Sequence, residues 1–164
     1  MISSLRVLAA AFLLVLALGA SPAPTQALGP FQFHAITPCR VFDTREVVAG
    51  ETNGSPLVNT AHHFFRVQGQ CGVPNGADAV TANFTITQPT LFGDLRIYPA
   101  NVSPGLNDPS TLNYGANEAA LANGANLPLA PVGSPSAKDI RILIGMPANG
   151  SVHVIMDVTG YFDN

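Results

Sequence analysis

The sequence predicts an all-β fold: a single β-sandwich of about eight or nine short strands behind an export signal. Three observations carry that prediction. Apolar residues recur with period two in short runs, nearly every run stops at Gly, Pro, Asn or Asp, and nothing beyond Phe31 has the 3.6-residue period of an amphipathic helix. Runs of this length and spacing suit two packed sheets, Ig-like or jelly-roll-like in connection.

The elements follow in chain order. Arg6 precedes an apolar run at 7–19 (VLAAAFLLVLALG), and Ser21-Pro22-Ala23-Pro24 then breaks any helix. A run of 13 residues is too short to span a bilayer. Thr25 and Ala27 place small residues at the −3 and −1 positions of a cleavage site, so residues 1–27 read as a secretory signal and 28–164 as one secreted domain. About 137 residues remain, enough to bury a core without help from a metal or a second chain. The expected place of the protein is therefore outside the cell or on its surface. Strands are expected at 32–36, 40–43, 62–67, 79–87, 94–98, 110–114, 118–127, 140–144 and 151–158. In 79–87, Val80, Ala82, Phe84 and Ile86 share one face and Thr81, Asn83, Thr85 and Thr87 the other, which makes one face core and the other wet. In 151–158, Val152, Val154, Met156 and Val158 point inward, while Ile155 accompanies His153 and Asp157 outward and implies partial cover there. Turn-rich connections lie at 72–76, 101–109 and 128–136, and Asn149-Gly150 is a hairpin-favouring pair.

Charge is scarce. Charged residues make up 10% of the chain against about 25% in ordinary soluble proteins, and Lys138 is the only lysine. The formal net charge is −3, and losing Arg6 with the signal takes it to about −4. Without a basic run, nucleic acid is excluded as a partner, and so is an anionic membrane surface. A polar but uncharged surface leaves little electrostatic repulsion between copies, which favours surface contact or self-association.

Cys39 and Cys71 are the only cysteines, and an even count in an exported chain favours a disulfide. That bridge would pin the N-terminal segment to the turn before the strand at 79. A C-x-x-C spacing, which redox or metal chemistry would use, is absent. His34, His62, His63 and His153 lack H-x-H or H-E-x-x-H spacing and are expected to be structural. No cofactor is expected. Asn107-Asp108 with neighbouring carbonyls is the stretch best suited to calcium, but it lacks a D-x-D-x-D-G series. The acids are scattered and no G-x-S-x-G exists, so a hydrolase reading has little to rest on. Asp43, Arg45 and Arg66 lie in or beside apolar strands, where the expected role is an internal ion-pair network fixing a sandwich edge. Asp157 to Tyr161 (DVTGY) is similar to the tyrosine corner of sandwich domains, in which a tyrosine hydroxyl ties down a connection.

Five stretches are familiar as a set: ITPCRVFDTR at 36–45, QCGVP at 70–74, GDLRIYPA at 93–100, STLNY at 110–114 and VHVIMDVTGYF at 152–162. Together they resemble a β-rich module that recurs, alone or in tandem, in exported bacterial proteins, sometimes beside hydrolase domains. The resemblance covers nearly all of residues 28–164, and this copy is expected to stand alone. It implies an extracellular accessory or surface module, pairs the two cysteines and assigns no catalytic residue.

The first functional expectation is a non-enzymatic contact module for adhesion or for binding a glycan, an envelope or a matrix component. Arg96, Tyr98, Asn113 and Tyr114 are its candidate ligand residues, because tyrosine, planar amides and arginine suit sugar rings and hydroxyls. The second is a structural subunit that self-assembles through exposed strand edges, with 28–33 adding as a strand to a neighbour. The third is a small secreted hydrolase.

Overall fold

The computed structural model describes residues 30–49, 51–59, 61–134 and 137–164; the expected signal at 1–27 lies outside them. Every regular element among the described residues is a strand: β1 (Gln32–Asp43), β2 (Val47–Val48), β3 (Thr52–Asn53), β4 (Leu57–Val58), β5 (His62–Phe65), β6 (Ala79–Thr87), β7 (Gly93–Pro99), β8 (Leu112–Tyr114), β9 (Ala120–Pro128), β10 (Ile140–Gly145) and β11 (Ser151–Asp163). No helix among them is long and apolar enough to cross a membrane.

Two antiparallel sheets form the body, one in the order β1-β11-β6-β9 with β4 also on β11, the other in the order β5-β10-β7-β8. Leaving aside the two-residue strands β2, β3 and β4, the first strand pairs with the last, the second with the next to last, and so inward to β7 with β8. That is a long antiparallel ribbon folded over on itself, the wrapping of a jelly roll, and it decides between the two sandwich types the sequence allows.

The core forms where the inner faces meet. Phe84, Ile86, Val80, Val154 and Met156 come from one sheet, Leu95, Ile140, Ile142 and Ile144 from the other, and all are buried. Phe42 and Phe65 stack across the gap at 4.0 Å. The alternation in 79–87 and 151–158 places its inward residues as expected, and Ile155 on the outer face is buried as well.

The strands at 32–36 and 40–43 are one element. β1 runs through both, with register shifts between Ala35 and Cys39 and between Arg40 and Phe42, so the interruption is a pair of bulges. Gln32 and Phe33 pair with Asp163 and Phe162 of the same chain. This part of 28–33 is therefore already in a sheet, and the expectation that it is free to join a neighbour is corrected. Gly160 makes that pairing fit, since a Cβ there would lie 2.3 Å from the Phe33 ring. Asn149-Gly150 does not close a hairpin, because it links β10 in one sheet to β11 in the other. Asn149 takes a positive φ of 67° there, and Gly150 N–H donates to Pro147 O.

Candidate functional site

Several polar groups are committed to holding the sandwich together. Cys39 and Cys71 are bridged, with S–S 2.02 Å and Cα–Cα 5.6 Å, and tie β1 to the turn that precedes β6. On the outer face beside them, Arg45 donates to Asp43 through its backbone N–H and its guanidinium (2.6–3.2 Å). Arg40 donates to both oxygens of Asp157 at 2.8 and 3.2 Å and reaches Asp43 at 3.5 Å. Asp43, Arg45 and Asp157 thus share a network whose centre, Arg40, the sequence did not single out. Arg66 is elsewhere: its guanidinium donates to Ala137 O and its backbone N–H to Glu51. Tyr161 is also outside the network, and the tyrosine-corner expectation is corrected, because β11 runs on past it to Asp163 and its ring stacks on His34 at 4.8 Å.

The Arg45 guanidinium bonded to Asp43 holds that buried carboxyl below the usual aspartate range. The folded state therefore binds the Asp43 proton less tightly than the unfolded chain does, and the resulting stability is present above about pH 4 and lost as pH falls through the lowered value. The variant Asp43→Asn is expected to flatten this acid limb; urea midpoints measured from pH 6 to pH 2 check it.

A second network went unread in the sequence. Asp139 Oδ2 accepts the backbone N–H groups of Val67 and Gln68 at 2.6 and 2.7 Å, and Gln68 Nε2 donates to Ala130 O at 3.0 Å. Both side chains are buried.

Arg96, Tyr98 and Asn113 lie on the outer face of the four-stranded sheet, whereas Tyr114 turns to its core face, and only Asn113 is left open to a ligand. Arg96 is 7% exposed; its guanidinium pairs with Asp94 and donates to Leu106 O at 2.7 Å and Asp108 O at 2.9 Å. Tyr98 Oη donates to Pro109 O at 3.0 Å. Arg96 and Tyr98 therefore clamp the loop at 100–111 against the sheet. Tyr114 is buried, with its hydroxyl beside Gly93 and without a partner, and burial pushes its ionisation upward. Asn113 alone is exposed; its Oδ1 accepts from Ser110, and its amide nitrogen makes no hydrogen bond among the described residues.

The clamped loop leaves a depression of about 440 Å3 whose lining includes Phe92, Asp94, Leu106 and Asn113. Asp94 and Asn113 are cross-strand partners on β7 and β8. Gly145 completes the floor from β10, where a Cβ would strike Arg96 Nη1 at 2.5 Å and Asp94 Oδ2 at 2.6 Å. Burial raises the Asp94 carboxyl above its usual range, against the pull of Arg96. Phe92 is 64% and Leu106 51% exposed, so two large apolar groups stand at the rim in water. The sequence offered a signal for Phe92, a phenylalanine between turn residues with nothing periodic to pack against.

A second depression, of about 470 Å3, lies between β5 on one side and Thr44 with residues 51–57 on the other. Its polar groups are largely used internally: Glu51 accepts from Lys138 and Arg66, Thr52 Oγ1 donates to Glu46 O, and Asn53 Oδ1 accepts from Ser55. Burial lowers the pKa of His63, which lines it. At Asn107-Asp108, Asp108 Oδ2 accepts from Gly105 N–H and the Asp108 carbonyl accepts from the Arg96 guanidinium.

Comparisons with protein-family models, with curated protein sequences and with solved structures find no match to this chain.

Proposed function

We propose that this protein is an exported, non-enzymatic contact module that binds a glycan through the depression between Phe92 and Leu106. The observation that carries the reading is the juxtaposition there of an exposed aromatic ring with one carboxylate and one primary amide. A pyranose ring offers an apolar C–H face to Phe92 and adjacent hydroxyls, which donate to Asp94 and accept from Asn113. Arg96 and Tyr98 act as positioning residues that hold the loop wall and do not meet the sugar. Export is supported by the signal-like N-terminus and by the disulfide, which suits an oxidising compartment.

The test is retention on a glycan array and on immobilised polysaccharides. The wild type is expected to be retained on at least one glycan class, with Phe92→Ala and Asn113→Ala each weakening that binding about tenfold. No retention of the wild type, or retention that Phe92→Ala leaves unchanged, overturns the glycan reading.

A further inference from the structure

Leaving aside the two-residue β4, the two sheets have four outer strands among the described residues, and three of these are protected against pairing with a foreign strand. β1 contains Pro38 and Arg40 and is broken by two register shifts. β5 is only 4 residues long and faces residues 51–57 across a depression, and the N–H of Arg66 just beyond it is taken by Glu51. β8 is only 3 residues long. Charge, proline, bulges, cover and shortness are the usual means of keeping a sheet edge from adding another strand.

Among the described residues, β9 has none of these along its run. It pairs with β6 through nine consecutive positions without a shift, carries no charged residue, and has a proline only at its last position, Pro128. Leu129 N–H donates to Asp78 O, toward β6, so the alternate positions Leu127, Ala125, Asn123 and Leu121 also turn their backbone groups inward. Ala120, Ala122, Gly124 and Asn126 turn theirs toward the open edge, and all four are exposed.

The residues on this strand are also self-complementary. Positions 121–127 read LANGANL. Laid antiparallel on a second copy about Gly124, Leu121 stands opposite Leu127 of the other copy, Ala122 opposite Asn126, and Asn123 opposite Ala125. Apolar meets apolar, and each amide meets a methyl small enough to leave it room. Glu118, just before the strand, falls opposite Ala130 of the second copy, so two net-negative chains bring no like charges together here.

We propose that β9 is a dimerisation strand, which pairs with β9 of a second copy of this chain antiparallel about a two-fold axis at Gly124, joining two sheets into one continuous sheet. The interface is isologous, so it closes at two copies. It does not depend on the glycan reading, since β9 belongs to the other sheet.

Sedimentation equilibrium on the purified protein tests this. A mass of twice the chain is expected at high concentration, falling to one chain on dilution. A Cβ at Gly124 meets nothing within 4 Å, so side chains there leave the fold intact. Gly124→Lys sets two ammonium groups opposite each other and is expected to weaken association about a hundredfold, whereas Gly124→Val keeps it. Under mild oxidation Gly124→Cys is expected to form a disulfide-linked dimer, because paired Cα atoms at such a position are about 5.5 Å apart. Ala122→Cys is not, because its copies lie about 13 Å apart along the strand. A monomer at all concentrations, a dimer that Gly124→Lys does not weaken, or equal cross-linking of the two cysteine variants overturns the proposal.

Discussion

Replacing Arg96 by alanine is expected to destabilise the protein by about 3 kcal/mol at neutral pH, because it strips the cation from a largely buried pair and frees two loop carbonyls. The pH dependence separates this from simple loss of packing. Burial already raises the Asp94 carboxyl, and without Arg96 only that burial remains. The folded variant then binds the Asp94 proton more tightly than the unfolded chain. This contribution to stability is present below the ordinary aspartate value of about 3.9 and lost as pH rises through the raised one. Urea midpoints are therefore expected to show a smaller penalty near pH 4 than at pH 7, and adding Asp94→Asn to Arg96→Ala is expected to recover part of the neutral-pH loss. A penalty independent of pH would show that the guanidinium acts only by filling space. Glycan retention should fall along with stability in Arg96→Ala, whereas Phe92→Ala, which leaves the loop clamped, should lower retention without lowering stability.

Removing the Cys39–Cys71 bridge is expected to cost about 3 to 4 kcal/mol, the denatured-state entropy of a closed loop of this size. The sequence separation is 32 residues, and the bridge sits where β1 is interrupted by bulges, so it reinforces the strand at its weakest stretch. The double variant Cys39→Ala/Cys71→Ala should melt about 10 °C lower. Calorimetry of the wild type with and without reductant gives the same comparison without mutation. Equal melting temperatures would mean that the pairing of β1 with β11 suffices alone.

What could be read from the sequence depended on whether a residue's role repeats along a strand. Val80 to Ile86 and Val152 to Val158 were legible because burial on one face of a sheet imposes alternation. β2, β3 and β4 were not, since two-residue strands hold no period. The bulges in β1 slip the register, so one strand reads as two. The same slip left Arg40 looking like a strand-end residue when it bridges Asp43 and Asp157. Asp139 carries no local signal; its role depends on two backbone N–H groups over 70 residues away in sequence. Within the candidate site, polar and aromatic residue types pointed to β7, β8 and the loop between them. Which of those residues are free depends on hydrogen bonds and burial that have no local pattern: Arg96 and Tyr98 are spent on the loop and Tyr114 on the core, which leaves Asn113 beside Phe92 and Asp94.

The folded-ribbon wrapping also gives the domain a front and a back. Gln32 and Asp163 are register partners, so the chain enters and leaves at one end of the sandwich. Phe92 follows the far end of β6, whose Ala79 lies beside Phe162 and whose Thr87 lies beside His153. A nine-residue strand, about 30 Å, separates the two ends. Whatever is fused directly before Gln32 or after Asp163, a display carrier or a fluorescent tag, should therefore hang from the back and leave the Phe92 depression facing outward. A linker of a few residues joining the two ends should permit circular permutation, with new termini opened in the exposed loop at 115–119.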